Sequence, residues 1–234
     1  MRNITLLVIA LLIIGAVTYF FIQNSAKLGD DSNSNSTSDT VYIDDSATTV
    51  TPGHYVVDTN KSTFNWSGKK PLIDGYVNSG TIDLSHGEID VTNTTAKGSF
   101  SMDMNTLTVG LTAKKPGQEN LLEQHLKGGN WFDVTNYPTA QFVITKIEET
   151  PEKVNDFQYL ITGDLTLKGQ TNEITFPAYI YQTDDGLLHT QARFEIDRTK
   201  WGLTFGSGSF FQNLGDNLID DMVGISLSIT AVKQ

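Results

Sequence analysis

The chain is 234 residues long and carries 16 lysines and arginines against 27 aspartates and glutamates, so its formal charge is −11. This length favours one domain with additional segments, and the acidic balance leaves no broad basic surface for nucleic acid. The absence of cysteine excludes disulfides, thiolate metal sites, cysteine nucleophiles and a lipidated N-terminal cysteine.

An uncharged apolar run opens the chain. It covers the nineteen residues from Ile4 to Ile22, which as a helix would measure roughly 28 Å, close to the thickness of a bilayer's hydrocarbon core. The residues after it, Asn24-Ser25-Ala26, match a signal-peptidase site poorly. We therefore predict a signal-anchor or signal peptide over residues 1–23, with an uncleaved anchor favoured.

The charges around this run predict its orientation. Arg2 precedes it, and Lys27 is the nearest base beyond it, so the remainder of the chain should face away from the cytoplasm. The expected location is extracytoplasmic, periplasmic or at the cell surface, in a membrane-anchored or secreted form. Residues 24–51 are rich in Ser, Asn, Asp and Thr and predict a flexible polar linker to a domain over residues 52–234.

From Pro52 onward, apolar and polar residues alternate, which predicts β-strands with one buried face. Seven or eight such segments recur, and we expect antiparallel hairpins joined at turn-forming dipeptides, of which Asp185-Gly186 is the clearest. The predicted turn dipeptides are Ser79-Gly80, His86-Gly87, Lys97-Gly98, Lys168-Gly169 and Asp185-Gly186.

One stretch departs from this alternation. Between Gln118 and Lys127, apolar residues recur at helical spacing, and Gly128-Gly129 follows as a stop signal. The sequence therefore predicts one short helix in an otherwise all-β domain.

Alternation alone does not separate a β-sandwich from a β-barrel. About eight strands close into a cylinder that can hold one ligand, but the same large side chains could fill a sandwich core. In the barrel interpretation the candidate cavity residues are Phe64, Trp66, Phe100, Met102, Phe142, Ile144, Leu165, Leu167, Phe176, Phe194, Ile196, Trp201 and Phe205.

Three polar residues are candidates for the barrel rim. Asp197 and Arg198 lie at the end of a predicted strand, where we expect an ion pair or a clamp on the backbone. We favour a role for this pair in ordering a loop over a role in contacting a ligand. His125 lies on the predicted helix, close in sequence to Trp131 and Phe132. That cluster forms either a packed lid or the mouth of a pocket.

The sequence contains no catalytic signature that we can assign. Its histidines lack metal-ligand spacing, and neither a nucleophile elbow nor a phosphate-binding loop is present. Asp103, Asp164 and Asp197 could supply a carboxylate pair of the kind glycosidases use, but an acidic chain offers many such combinations. We expect no enzymatic activity, no metal site and no cofactor.

Several short motifs follow one another in the second half of the domain. They are His125-Leu126-Lys127, Trp131-Phe132-Asp133-Val134, the segments 137–142, 163–171 and 196–203, and Ile219-Asp220-Asp221-Met222-Val223-Gly224-Ile225. Each is unspecific alone. In this order, and with the opening Tyr55-Val56-Val57-Asp58 and Phe100-Ser101-Met102-Asp103-Met104, they resemble the YceI-like family of lipid- and polyisoprenoid-binding proteins.

The resemblance covers roughly Gly53 to Val232. It implies an all-β, lipocalin-like antiparallel barrel of about eight strands with a short helix, secreted or periplasmic, often dimeric, and enclosing an isoprenoid chain. The implied ligand is a quinone or prenyl phosphate-like lipid, held for sequestration or transport; the membrane is a further expected partner, through the N-terminal helix, and a homodimer is compatible with the resemblance. Two alternatives stay open: an extracytoplasmic hydrolase using paired carboxylates, and a structural or adhesive β-domain with a filled core.

Overall fold

The computed structural model describes residues 50–154 and 157–234. The predicted anchor and nearly all of the predicted linker lie outside the described residues. Within the described part of the chain, no helix combines the length and the apolar character needed to cross a bilayer.

The described residues form eleven β-strands, one α-helix and four 3₁₀ turns. The strands are β1 (Gly53–Val57), β2 (Thr63–Lys69), β3 (Val77–Thr81), β4 (Asp83–Val91), β5 (Ala96–Asp103), β6 (Leu111–Thr112), β7 (Thr139–Val154), β8 (Phe157–Leu167), β9 (Gln170–Gln182), β10 (Leu188–Asp197) and β11 (Met222–Lys233). The helix is α1 (Glu119–Lys127), and the 3₁₀ turns are Thr59–Lys61, Met104–Thr106, Arg198–Trp201 and Gly215–Asn217.

The strands close into an antiparallel barrel. One edge of β11 pairs with β10, and the other pairs first with β2 and then, nearer its end, with β1, where Tyr55 lies opposite Lys233. Since β3 pairs with β2 and β4 with β1, β1 and β2 act as one bent strand and β3 and β4 as another. Eight strand positions thus surround one interior, which confirms the predicted all-β barrel with one helix and excludes the sandwich.

Aspartates stand before three of the 3₁₀ turns. The carboxylates of Asp58, Asp103 and Asp197 each accept a hydrogen bond from the backbone N–H two residues further on, at 3.0–3.1 Å. The short side chain of an aspartate stabilises the start of such a turn when its carboxylate accepts a hydrogen bond from a backbone N–H that has no other partner. Asp103 and Asp197, two carboxylates of the hydrolase alternative, are therefore turn caps.

Three of the five predicted turn dipeptides are wrong as turns: those at Gly80, Gly87 and Gly98 lie inside β3, β4 and β5. Steric crowding explains these glycines. A Cβ at Gly80 would collide with the carbonyl of Thr108, and one at Gly87 would come within 2.6 Å of Val57 Cγ2. Glycine inside a strand commonly marks such a close approach.

The other two dipeptides do form hairpin turns. Gly169 has a φ of 72° and Gly186 a φ of 84°, in the left-handed region that glycine adopts without steric cost. The helix prediction is also confirmed: α1 ends where the N–H of Gly128 bonds to the carbonyl of His125.

A β-bulge in β7 changes which residues face inward. Ile144 lies opposite Gly163, but the next pair is Lys146 with Thr162, so one residue of β7 is unpaired between them. The extra residue shifts the alternation by one position. Consequently Ile147 and Glu149, rather than Lys146, line the interior.

Candidate ligand cavity

The inner faces of the strands enclose a cavity of about 760 Å³. Its walls are mostly aliphatic and aromatic, and its volume falls within the range of roughly 300–1,000 Å³ typical of small-molecule sites. We call the two ends of the barrel the helix end, where α1 and the 198–221 segment lie, and the hairpin end, formed by the β4–β5 and β9–β10 turns and the start of β1.

Most of the predicted cavity residues line this space. These are Phe64, Trp66, Phe100, Met102, Phe142, Ile144, Leu165, Leu167, Phe176, Phe194 and Ile196. Their alternating positions on β2, β5 and β7–β10 bring them to one interior, because residues opposite each other on paired strands point to the same face of the sheet. These side chains therefore line a cavity instead of filling a closed core.

Trp201 and Phe205 do not line the cavity, which corrects the prediction for these two residues. Trp201 is completely buried, and its indole N–H donates to the carbonyl of Leu165 at 2.9 Å. Phe205 is 52% exposed. The 3₁₀ turn that begins at Arg198 ends the strand alternation, so positions 201 and 205 no longer fall on the inner face.

Four phenylalanines form a band along one part of the wall. Ring centroids are 6.5 Å apart between Phe100 and Phe142, 5.6 Å between Phe142 and Phe176, and 4.1 Å between Phe176 and Phe194. Phe142 reaches across β8 because Gly163 has no side chain: a Cβ there would lie 2.5 Å from the Phe142 ring.

The cavity also has lining residues that the sequence analysis did not select. In β4, a register shift lies between Leu84 and His86. Because of this shift, Leu84 and Ile89 are separated by an odd number of positions, and the alternating pattern expected of a strand is interrupted in the sequence. At the helix end, the lining is completed by a group from α1 and its exit. These residues are Leu122, Leu126, Trp131 and Phe132.

Trp131 and Phe132, members of the cluster predicted around α1, therefore line the helix end of the cavity. His125 itself is exposed on α1 and does not line the cavity. Asp197 does not line it either. Arg198 is the one predicted rim residue that does.

Arg198 is 2% exposed and clamps the 198–221 segment over the helix end. Its Nε donates to the carbonyl of Asp220 at 2.9 Å, Nη1 donates to the carbonyl of Leu203, and Nη2 donates to that of Ile219 at 3.2 Å. Nη2 also lies 3.4 Å from Asp221 Oδ1. The guanidinium thus orders a loop, as favoured from the sequence.

The surroundings of the Arg198–Asp221 pair lower the pKa of both residues. Burial lowers the pKa of Arg198, against the raising effect of the nearby carboxylates. Burial alone would raise the pKa of Asp221, but hydrogen bonds from Ser207 and Ser209 and the charge of Arg198 outweigh it, so the pKa of Asp221 is lowered. Arg198 Cζ also lies over the Trp131 ring, 5.1 Å from its centroid, a favourable cation–π distance.

Polar groups are concentrated at the two ends of the cavity. At the hairpin end, burial raises the pKa of the Tyr159 phenol, and the negative charge of Glu149 raises it further. At the helix end, the polar lining comes mainly from the connection between β2 and β3 and from the 198–221 segment. Its members are Lys69, Lys70, Tyr76, Asn78, Arg198 and Asp220.

Within the described ranges, no three histidine, aspartate or glutamate side chains are grouped closely enough to hold a metal ion. Asp164, the remaining carboxylate of the hydrolase alternative, does not line the cavity. The three candidate carboxylates therefore do not meet at this site.

The YceI-like domain model matches residues 55–231. This chain therefore belongs to the YceI-like family. The match covers the barrel from β1 to β11, in agreement with the resemblance seen in the motifs.

Two solved structures have folds similar to this YceI-like barrel. BcnA of Burkholderia cenocepacia is 20% identical with a TM-score of 0.58, over 75% of this chain and 99% of that one. A polyisoprenoid binding domain from Saccharophagus degradans, implicated in plant cell wall breakdown, is 13% identical with a TM-score of 0.55, over 79% of this chain and 100% of that one. At these identities the similarity is one of fold.

A UPF0312 protein of Pseudomonas putida is 43% identical over 56 residues, which are 24% of this chain and 27% of that protein. The chain thus aligns with between 27% and 37% of the length of the curated relatives it matches.

Proposed function

We propose that this YceI-like barrel binds one isoprenoid lipid in its cavity and sequesters or carries it outside the cytoplasm. The observation that carries the proposal is the unfilled interior of about 760 Å³, walled by aliphatic and aromatic side chains. Apolar surface gains about 25 cal/mol for each Å² removed from water, so a hydrocarbon chain can bind there with few polar contacts.

The shape of the cavity favours a long ligand over a compact one. Its lining residues extend from Leu126 of α1 at the helix end to Thr94 of the β4–β5 turn at the hairpin end. An extended chain can contact all of these walls at once. The description of the Saccharophagus degradans protein as a polyisoprenoid binding domain supports the isoprenoid class.

A domain with a filled core is disfavoured by the cavity itself. The hydrolase alternative loses support because two of its three candidate carboxylates cap 3₁₀ turns and the third does not line the cavity.

Extraction of the purified protein with organic solvent, followed by mass spectrometry of the extract, tests the proposal. We expect an isoprenoid lipid in near-stoichiometric amount, and we expect the emptied protein to take up the same lipid again. A protein that is repeatedly empty and does not bind added isoprenoids would refute it.

The apolar run at residues 4–22 leads us to propose further that the barrel is tethered to a membrane. N-terminal sequencing of the native protein tests this. A start at or near Met1 in the membrane fraction is expected, whereas a start between Ser25 and Asp31 in the soluble fraction would show that the segment is a cleaved signal.

A further inference from the structure

Exposed apolar side chains are concentrated at the helix end of the barrel. Among the described residues, ten large hydrophobic side chains are exposed, and six of them belong to the connections at this end. These six, which we call the apolar patch, are Leu72, Leu121, Tyr137, Phe205, Phe210 and Phe211. None of the ten lies in the β4–β5 or β9–β10 turn at the hairpin end. Single exposed hydrophobic residues are usual on soluble proteins, but a concentration of them marks an interaction surface.

Two phenylalanines of the patch are carried on a turn that is fixed to the barrel. Ser207 is fully buried, and its carbonyl accepts a hydrogen bond from the N–H of Phe211 at 3.0 Å. The hydroxyl of Ser209 donates to Asp221 Oδ2 at 2.6 Å. Phe210 and Phe211 are nevertheless 59% and 50% exposed. The fold therefore holds these two rings away from the barrel instead of packing them against it.

The apolar patch adjoins the cavity. The ring of Phe205 packs against that of Trp131, with centroids 5.9 Å apart, and Trp131 lines the cavity. On α1, the exposed Leu121 is followed directly by Leu122, which also belongs to the lining. Apolar surface thus leads from the outside of the helix end to the interior of the barrel.

The helix end is electrically neutral, whereas the rest of the barrel is acidic. The segments at this end contain seven lysines and arginines and seven aspartates and glutamates; they are residues 70–76, 104–138, 168–169 and 198–221. The remainder of residues 50–234 contains seven basic and fifteen acidic residues. The phosphates of a phospholipid surface repel an acidic protein surface, but they do not repel a neutral one. The helix end is therefore the end that such a surface can approach.

A bilayer fits this combination of features. Aromatic side chains favour the interface between lipid and water. The apolar run at residues 4–22 also predicts that the chain is held at a membrane. The 27 residues from 23 to 49 can span up to about 90 Å when fully extended. The covalent chain thus permits the helix end to approach the bilayer.

We propose that the apolar patch docks onto the surface of a phospholipid bilayer, with the rings of Phe210 and Phe211 inserted at the level of the headgroups. The helix end of the cavity then faces the bilayer, so an apolar ligand can pass between the two without crossing water. This docking goes beyond the proposed function, because it does not depend on whether the cavity holds a lipid.

A fluorescent label beside the two rings tests the docking. The chain contains no cysteine, so Gln212→Cys introduces a single thiol at an exposed position next to Phe211. The full chain, labelled there with a nitrobenzoxadiazole dye, is reconstituted into phosphatidylcholine vesicles with or without nitroxide-labelled phosphatidylcholine. We expect the nitroxide to remove about half or more of the fluorescence, because docked side chains lie roughly 5–10 Å deep in the interface. A label at Gln191→Cys, on the exposed face of β10, should keep nearly all of its fluorescence.

Two double variants show whether the phenylalanines are responsible. In the Gln212→Cys protein, Phe210→Ser with Phe211→Ser should abolish the quenching. Val143→Ser with Leu160→Ser is the matched control, because it removes two exposed apolar side chains from the barrel wall. This control should leave the quenching unchanged. Both pairs replace exposed side chains, so circular dichroism should show a folded barrel in each case.

Each outcome decides the proposal. A label at position 212 that is quenched no more than the label at position 191, or quenching that survives the loss of both phenylalanines, overturns the docking. Blue-shifted emission without quenching by the nitroxide also overturns it, since this result means that a second copy or another part of the chain covers the patch. The proposed function is judged separately, by the lipid extracted from the protein.

Discussion

Phe176 and Phe194 stack face to face in the cavity wall, with ring centroids 4.1 Å apart and planes within 9° of parallel. They come from the neighbouring strands β9 and β10, whose backbone pairing ends at Ala178 opposite Ala192. On the inner face of these two strands, the pair of small alanines is thus followed by the pair of stacked phenylalanine rings. This step from small to large side chains shapes the cavity at the middle of β9 and β10.

Truncation of a cavity-wall ring should cost less stability than truncation of a ring in solid packing. Phe194 is only partly buried and borders an existing cavity, so Phe194→Ala enlarges that cavity without creating a new one. We expect a loss in unfolding free energy well below the roughly 3–5 kcal/mol usual for a core aromatic, together with reduced retention of lipid.

Trp201→Ala is the matched comparison, because Trp201 is fully buried and does not line the cavity. Its cost should reach the roughly 3–5 kcal/mol range. Urea denaturation of both variants gives the free energies, and mass spectrometry gives the lipid content. Equal large losses for both variants, with unchanged lipid content, would contradict the assignment of Phe194 to the cavity wall.

A side chain added at Gly68 should block lipid binding without unfolding the barrel. A Cβ at this position meets nothing within 4 Å, so Gly68→Leu projects into the open cavity. We expect less bound lipid and nearly unchanged thermal stability. Gly110→Leu is the control, since a Cβ there also meets nothing but Gly110 is outside the lining; a similar loss of lipid in both variants would argue against a blocking effect.

The Arg198 clamp should be needed for the order of the 198–221 segment. Arg198→Lys keeps the charge but loses the fork that bonds to three backbone carbonyls, and unpaired buried acceptors cost about 1–3 kcal/mol each. We expect a loss of at least about 2 kcal/mol and faster amide hydrogen exchange over residues 202–221. Arg193→Lys, at an exposed position of β10, should have a much smaller effect; comparable effects would show that the clamp is not responsible.

Acid should weaken the fold partly through Asp221. Its pKa in the folded protein is below the ordinary value of 3.8, so the ionised form is favoured by folding. The resulting stabilisation is fully present above about pH 4 and is lost as the pH falls through the folded-state pKa.

Asp221→Asn should therefore have a lower melting temperature than the unmodified protein at neutral pH and a smaller further decrease between pH 5 and pH 2. Ser209→Ala, which removes the hydroxyl that donates to Asp221 Oδ2 at 2.6 Å, should shift the profile in the same direction by less. Melting curves across this pH range provide the measurement. Parallel profiles for Asp221→Asn and the unmodified protein would contradict the prediction.

The barrel should fold without the N-terminal segments. The described residues from Val50 to the end of the chain lie in one compact unit, and its first strand closes the barrel against β11. We expect a protein starting at Ser46 to be soluble, rich in β-structure and able to bind lipid. Circular dichroism and gel filtration check this; an aggregated product would show that the earlier residues are required.

The local features of this domain could be predicted from its amino-acid sequence. Alternation such as Phe100 with Met102 identifies a strand face because side chains on a strand alternate regardless of its neighbours. The end of α1 at Gly128 was equally readable, since a helix stop depends on local backbone freedom. The order of motifs was sufficient to identify the YceI-like family.

The closure of the barrel, the cavity and the positions of its polar groups depend on contacts between residues that are distant in the sequence. Closure depends on pairing of Tyr55 with Lys233, at opposite ends of the domain, and alternation contains no information about such distant partners. The bulge after Ile144 and the turn before Trp201 change which side chains face inward. That the buried Oδ1 atom of Asn78 has no hydrogen-bond partner among the described residues was equally invisible, because whether a polar atom finds a partner depends on every strand and loop packed around it.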